Sequence, residues 1–301
     1  MTGPSPKRPD PALLEISQRF SAPNLVGEVK EDMPMIRQAA RKARTGLVGR
    51  MADQVEVMDL GVLRRFVPKP ADRSAIIIYA HGGGWVTGDT VTHGGLMTDL
   101  AALTGYEVLG PEYPLAPENP YPAGLDHLMQ LIDDTIAAKP NAKIILAGDS
   151  AGANLALAAA LRLRDDGRGD VISAMLLWYG CYRRLFDTPS HKSFGAGDHG
   201  LTTDAMARMW DWYLGDHNDP KYGDLTKAAL HDLPPAYLCE AELDCLASDS
   251  AWLAGALAQA GVPYTYTQVK DVPHGFAHFG QFYAPSFNAL EQAEHFLKGQ
   301  L

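Results

Sequence analysis

The strongest constraint on the fold is an apolar run that passes through a short glycine-containing turn into a second apolar run. Residues 143–147 read KIILA, so a strand here would be buried on both faces, as in a parallel sheet covered by helices. The turn reads GDSAG at 148–152, and the Ala- and Leu-rich residues 151–164 predict a helix. A strand, a tight turn and a helix in direct succession indicate an α/β protein.

The same alternation extends over most of the chain. We predict strands at 54–60, 62–67, 75–80, 107–111, 143–147, 172–178, 236–241 and 264–269. We predict helices at 11–20, 32–48, 94–103, 123–138, 151–164, 205–214, 250–260 and 286–298. The first two strands indicate a hairpin, and the later ones alternate with helices. This order predicts an open, mostly parallel sheet with helices on both faces.

Charge and composition exclude several classes of protein. The 301 residues include 26 basic and 36 acidic side chains, giving a formal net charge of −10. Nucleic-acid binding needs clustered Lys and Arg, and a negative chain also suits an anionic membrane poorly. No segment has the run of apolar residues that a membrane-spanning helix needs, and residues 1–10 lack the apolar part of a secretory signal. We expect a cytoplasmic protein with no nucleic-acid or membrane partner.

The GDSAG turn carries the first chemical signal. A G-x-S-x-G sequence between a buried strand and a helix holds a serine in a sharp turn, with its hydroxyl exposed at the edge of the sheet. We predict Ser150 as a nucleophile, and the free N–H of Ala151 at the helix N-terminus can face a developing oxyanion. A structural turn with a capping serine is the alternative.

A second glycine-rich segment follows the strand predicted at 75–80. Its sequence, HGGGW at 81–85, leaves backbone N–H groups unobstructed and able to point at an anion. A phosphate-binding loop would need G-x-x-x-x-G-K-[ST], and no lysine follows here. Because HGGG precedes GDSAG along the chain, the two segments predict an oxyanion hole beside the nucleophile.

A serine nucleophile needs a base, and the base needs an acid that orients it. In folds with this turn the order along the chain is serine, acid, histidine. His274 follows the last predicted strand, where catalytic loops lie, and we prefer it to His278 and His295. Asp244 and Asp249 compete as the acid. We prefer Asp244, because Ser248 or Asp249 is an expected N-cap of the following helix.

Together these segments resemble the hormone-sensitive-lipase-like family of carboxylesterases, which implies an α/β-hydrolase fold. The resemblance covers nearly the whole chain. It rests on HGGGW at 81–85, YPLAPENPYPA at 113–123, GDSAGA at 148–153, LDCL at 243–246 and HGF at 274–276.

The resemblance also implies site residues. The oxyanion donors correspond to Gly83, Gly84 and Ala151. The arginine that commonly follows the first tyrosine of the family's YRLAPE motif is Pro114 here, which removes a charge partner near Asp149.

A cap is expected from the resemblance and from the long insertion between two core strands. We expect N-terminal cap helices in 1–50, an α/β-hydrolase core in 51–182 and 234–301, and a cap insertion in 183–233. Some large apolar side chains could line the substrate pocket, although core packing is the competing interpretation for each. These candidates are Trp85, Trp178, Phe194, Met206 and Trp210.

The expected reaction is hydrolysis of a short-chain acyl ester through an acyl-enzyme on Ser150, with no metal or organic cofactor. The same triad would also suit lactones, amides or acetylated sugars. An alternative of another class is a non-catalytic small-molecule receptor with the same fold, similar to the gibberellin receptors. Loss of the catalytic histidine would indicate such a receptor, and His274 is present. A metallohydrolase is disfavoured because no HExxH motif is present. The natural substrate stays open, and a homodimer is one candidate for the oligomeric state.

Overall fold

The computed structural model describes residues 7–20, 30–217 and 220–301, so parts of the predicted cap (1–6, 21–29 and 218–219) lie outside the described residues. The strands found there are β1 (Val55–Asp59), β2 (Leu63–Pro68), β3 (Asp72–Ala80), β4 (Tyr106–Pro111), β5 (Lys143–Asp149), β6 (Ile172–Trp178), β7 (Ala236–Ala241) and β8 (Tyr264–Val269). The helices are α1 (Pro11–Arg19), α2 (Met33–Arg44), α3 (Gly94–Thr104), α4 (Ala123–Ala138), α5 (Ala151–Asp165), α6 (Pro189–Phe194), α7 (Thr203–Leu214), α8 (Ala247–Gln259) and α9 (Ala284–Lys298). None of the described helices is long and apolar enough to cross a membrane.

The strands form one eight-stranded sheet in the order β1-β2-β4-β3-β5-β6-β7-β8. The β1–β2 and β2–β4 pairs are antiparallel, and all pairs from β4 to β8 are parallel. The predicted hairpin and mostly parallel sheet are therefore confirmed. Because the parallel strands run in one direction, the loops after their carboxyl ends meet at one edge of the sheet.

Apolar side chains fill the space on both faces of the sheet, as the fully apolar strands predict. Successive side chains of a strand point to opposite faces. In β3, Ile76 and Ile78 belong to the core shared with α4, α5 and α8, whereas Ile77 and Tyr79 belong to the core shared with α3 and α9. The sheet is thus covered by helices on both sides, which explains why its central strands have no polar face.

The insertion contains two helices among its described residues, where the sequence predicts one. Helix α7 covers the predicted segment, but α6 has no apolar periodicity and was missed. Its start is nevertheless marked, because Thr188 accepts a hydrogen bond from the N–H of His191 and Pro189 is its first residue. The predicted helix at 32–48 was too long, since α2 ends at Arg44.

The insertion packs directly on the glycine-rich segment that follows β3. Trp85 stacks on Tyr213 with ring centroids 4.1 Å apart, and its ring lies 4.5 Å from that of Trp210. Met209 lies against Gly84, where a Cβ would be only 2.1 Å from Met209 Sδ. Helix α7 therefore contacts the segment that is expected to bind an oxyanion. The exact division into cap and core stays a prediction.

Candidate active site

Four strands bring the predicted site residues to one edge of the sheet. The segment 81–85 follows β3, Ser150 directly follows β5, Asp244 comes shortly after β7, and His274 comes shortly after β8. All four strands are parallel members of the same sheet, so their carboxyl ends lie side by side. Residues far apart in the chain therefore meet at this edge.

The structure brings Ser150, His274 and Asp244 into one chain of hydrogen bonds. His274 Nε2 lies 2.9 Å from Ser150 Oγ, and His274 Nδ1 lies 2.6 Å from Asp244 Oδ2. The second carboxylate oxygen of Asp244 accepts the N–H of Leu246 at 3.0 Å. The Asp244 side chain is fully buried, whereas the His274 side chain is 16% exposed. The acid is therefore shielded from water while the imidazole remains open to a substrate.

The backbone of Ser150 is in a strained conformation that its surroundings hold in place. Its φ of 53° and ψ of −120° are rarely adopted by residues other than glycine, and such strain costs about 1–3 kcal/mol. The N–H of Ser150 donates to the carbonyl of Trp178 at 2.9 Å, which anchors the turn to β6. On the other side, Gly152 approaches β3 so closely that a Cβ would be 1.9 Å from the carbonyl oxygen of Ala80. This packing keeps the serine hydroxyl at the edge of the sheet.

The three predicted oxyanion donors have N–H groups that are not used elsewhere. Within the described part of the chain, no protein acceptor bonds to the N–H of Gly83, Gly84 or Ala151. The carbonyl of Gly83 accepts the N–H groups of Val86 and Thr87 at 3.2 and 2.9 Å. These bonds hold the segment as a turn, and Ala151 opens α5, whose N-terminus carries partial positive charge.

Asp249, the competing acid, is engaged elsewhere. Its carboxylate accepts the backbone N–H groups of Tyr182 and Arg183 at 2.8 and 3.1 Å and pairs with the Arg183 guanidinium, whose Nε lies 2.9 Å away. The expectation that Asp249 caps the helix was wrong, because α8 already begins at Ala247. The remaining late histidine, His295, is exposed on α9.

The sequence matches the model of a known protein family, described as the alpha/beta hydrolase fold, over residues 77–278. The chain belongs to this family. Its sheet order and the helices on both faces agree with the fold predicted from the strand and helix pattern.

This α/β hydrolase is similar to known esterases along most of its length. The acetyl esterase of Salmonella schwarzengrund (strain CVM19633) is 35% identical over 249 residues, which cover 79% of this chain and 76% of that protein. A hyperthermophilic esterase from the archaeon Pyrobaculum calidifontis superposes with a TM-score of 0.85 at 28% identity, covering 97% and 98% of the two chains. An esterase from the bacterial hormone-sensitive lipase family shares the fold with a TM-score of 0.87 at 24% identity, covering 97% and 98%. These similarities confirm the predicted resemblance and the class of carboxylic ester hydrolase.

The five pocket candidates of this hydrolase occupy different environments. Trp85, Met206 and Trp210 are buried where α7 meets the segment after β3. Phe194 is half-buried at the end of α6. Trp178 is buried in the core on the other face of the sheet, between tyrosines of β3 and β7. Core packing accounts for the burial of Trp178, and a pocket role for the five stays a prediction.

Two buried histidines, which the motifs did not single out together, lie against Asp149. His93 Nε2 is 3.5 Å from Asp149 Oδ1, and His278 Nε2 is 3.4 Å from Asp149 Oδ2. Burial raises the pKa of a carboxyl group, but the polar contacts of His93 and His278 outweigh it and hold the pKa of Asp149 well below its usual range. The sequence gives one indication of these contacts. Pro114 replaces the arginine that is common in the family, so Asp149 lacks that charge partner and other groups can contact it.

We expect the hydrolase to lose stability as the pH falls from 7 to 5. Burial lowers the pKa of His278 to about 3 and that of His81 to about 4. In the unfolded chain a histidine titrates near about 6.5, so the unfolded state binds protons that the folded state excludes. The stability is therefore complete above about pH 6.5 and is lost as the pH falls towards the folded values, by about 2 kcal/mol per histidine at pH 5.

Thermal unfolding between pH 5 and pH 7 measures this effect. The variant His278→Gln should show a smaller decrease of Tm over this range than the wild type. Equal decreases in the two proteins would contradict the assignment to His278.

Proposed function

We propose that this chain is a serine carboxylesterase that hydrolyses short-chain acyl esters through an acyl-enzyme on Ser150. The hydrogen-bonded chain of Ser150, His274 and Asp244 is the observation that carries the proposal. In the first step His274 Nε2 accepts the hydroxyl proton as Ser150 Oγ bonds to the ester carbonyl carbon. Asp244 keeps the other imidazole proton on Nδ1 and stabilises the imidazolium.

The remaining steps use the same groups. The tetrahedral oxyanion accepts hydrogen bonds from the N–H groups of Gly83, Gly84 and Ala151, which become stronger as negative charge develops on it. His274 then protonates the leaving oxygen, the carbon–oxygen bond breaks, and the alcohol departs. Water next gives a proton to His274 and attacks the carbonyl carbon of the acyl-enzyme, which forms a second tetrahedral intermediate. When this intermediate collapses, the carboxylic acid is released and His274 returns the proton to Ser150 Oγ.

A small acyl group is supported by the relatives and by the packing of α7. The Salmonella relative is named an acetyl esterase. Met209 lies against Gly84, one of the proposed oxyanion donors, so a substrate carbonyl in the hole would have this side chain close beside it. We propose that Met209 restricts the space next to the reacting carbon and that acyl chains of roughly two to six carbons are preferred.

A panel of p-nitrophenyl acetate, butyrate, octanoate and dodecanoate tests the function and the chain-length preference. We expect kcat/KM to be highest for acetate or butyrate and to fall for the longer esters. The variant Met209→Ala should shift the preference towards longer chains. A buried methylene is worth about 0.8 kcal/mol, so a change of about fourfold for each added carbon is expected where that carbon is fully buried.

Met97→Ala is a matched control, because Met97 is also a buried methionine but lies on α3 in the other core. It should lower Tm and leave the chain-length profile unchanged. A wild-type optimum at dodecanoate would contradict the short-chain proposal, whereas an unchanged profile in Met209→Ala would contradict only the placement of Met209. Binding of the esters without turnover would favour a receptor.

We also propose that a small-molecule ester is the partner at this site. A cytoplasmic location, the absence of nucleic-acid and membrane partners and the question of a homodimer stay at the level of sequence-based expectation.

A further inference from the structure

We infer that a buried cluster of His93, Asp149 and His278 positions the oxyanion hole without touching the substrate. The inference rests on the proposed esterase function, because it assigns a role in that reaction to residues outside the triad. All three side chains are almost completely inaccessible to solvent. They come from three separate elements, namely the start of α3, the end of β5 and the turn that follows His274.

Gly82 connects the cluster to the oxyanion hole, since it directly precedes Gly83 and Gly84. The N–H of Gly82 is 2.9 Å from Asp149 Oδ1 and 3.1 Å from His93 Nε2. A Cβ at Gly82 would be only 2.6 Å from Asp149 Oδ2, so the loop and the carboxylate are in direct contact. A shift of Asp149 or His93 would therefore displace the next two peptide groups, whose N–H groups face the oxyanion.

The other end of the cluster is fixed to the nucleophile. Asp149 directly precedes Ser150, so one residue joins the serine turn to the oxyanion loop. The carboxylate is held at both oxygens, because Oδ1 accepts the hydroxyl of Tyr79 at 2.7 Å and Oδ2 faces His278 Nε2 at 3.4 Å. It therefore cannot rotate without losing a partner. Such precision matters, since a misplacement of about 1 Å can lower a rate by about a hundredfold.

The two imidazoles contact opposite oxygens of the carboxylate. His93 Nε2 accepts the Gly82 N–H, and its Nδ1 faces Thr92 Oγ1 at 2.9 Å and the carbonyl of Asp89 at 3.2 Å. His278 Nε2 instead faces the other carboxylate oxygen, Asp149 Oδ2, at 3.4 Å. Burial lowers the pKa of His278 to about 3, so this ring stays neutral at neutral pH. The loop is held by the directed hydrogen bonds of the Gly82 N–H to His93 Nε2 and Asp149 Oδ1.

Two histidines and a carboxylate are also a donor set for a metal ion, but the contacts favour positioning. The ligand atoms of the three residues lie within 4.8 Å of one another, and no fourth His, Cys, Asp or Glu joins the group within the described ranges. Structural zinc sites have four ligands. In addition, His93 Nε2 and Asp149 Oδ1 both accept the Gly82 N–H, at 3.1 and 2.9 Å. These two atoms therefore already use a lone pair that a metal ion would need.

The test compares wild-type protein with His93→Leu and His93→Gln. Leucine removes the acceptor for the Gly82 N–H, whereas the glutamine side-chain oxygen can replace it. For His93→Leu we expect kcat on p-nitrophenyl acetate to fall about 10- to 100-fold with KM within about twofold, because the lost precision acts in the transition state. Glutamine should restore most of kcat. His278→Leu should show the same pattern with a smaller loss, since its contact with Asp149 is longer.

A trifluoromethyl ketone provides a second measurement. Ser150 Oγ adds to its carbonyl, and the resulting oxyanion occupies the hole. Its inhibition constant should rise in His93→Leu by about the factor lost in kcat, because transition-state analogues report the same interactions. Asp99→Ala is the structural control, since Asp99 is buried on α3 and accepts the N–H of Met51 at 2.8 Å. It should lower Tm and leave kcat and inhibition unchanged.

Three results would overturn the inference. The first is wild-type kcat in His93→Leu. The second is an equal loss of kcat in the leucine and glutamine variants with unchanged inhibition. The third is one equivalent of zinc in the wild type that His93→Gln loses together with activity. A wild type without ester turnover would instead overturn the proposed function itself.

Discussion

Replacing Ser150 with alanine should abolish ester hydrolysis, with kcat lower by about a millionfold, the typical loss when a triad serine is removed. The change deletes the atom that would form the acyl-enzyme. The fold should persist, because the Ser150 hydroxyl bonds to the imidazole of His274 at the open edge of the sheet and alanine fits in the same space. Turnover of p-nitrophenyl acetate measures the loss, and Tm reports the fold. An organophosphate should add once to the wild-type protein, at Ser150, and not to the variant.

Ser286→Ala is the matched control for this experiment. Ser286 is also a buried serine, but its hydroxyl donates to the carbonyl of Phe276 at 2.6 Å. This variant should lose some stability and keep its turnover and organophosphate labelling. Retention of a tenth of wild-type kcat in Ser150→Ala would contradict the nucleophile assignment.

The positions of Ser150 and His274 were predictable because each is marked by its local sequence. Ser150 lies between a fully apolar strand and an alanine-rich helix, and His274 directly follows the last strand. The parallel sheet then brings the ends of those strands together, so their side chains meet without any further information. Local pattern and sheet geometry were sufficient for this part of the site.

The partners of Asp149 were not predictable in the same way. His93 opens a helix and His278 lies in a short turn, and neither has a local pattern that points to a carboxylate elsewhere in the chain. In the sequence His278 stood only as a weaker candidate for the base. Its contact with Asp149 depends on how the turn after His274 packs against the end of β5, which the local sequence does not encode.

The choice between the two acids also depended on a contact that the local sequence does not contain. Both Asp244 and Asp249 follow β7 closely, so strand position alone leaves them nearly equivalent. The difference arises from the segment after β6, in which Tyr182 and Arg183 supply the backbone N–H groups and Arg183 the guanidinium that bind the Asp249 carboxylate. Asp244 faces His274 instead.

Asparagine at the two positions should therefore affect different properties, kcat at position 244 and the stability of the fold at position 249. Asp244→Asn should lower kcat by about ten-thousandfold, as observed when the equivalent carboxylate of serine proteases is made neutral, because the imidazole is then held in the wrong tautomer. Its Tm should change little, since the amide keeps the shape of the carboxylate.

Asp249→Asn should leave kcat close to the wild-type value and destabilise the fold instead. The Asp249 and Arg183 side chains are only 4% and 11% exposed, and breaking a buried ion pair costs about 3–5 kcal/mol. Steady-state kinetics and urea unfolding of both variants separate the two roles. A large loss of kcat in a stably folded Asp249→Asn, with Asp244→Asn fully active, would reverse the assignment of the acid.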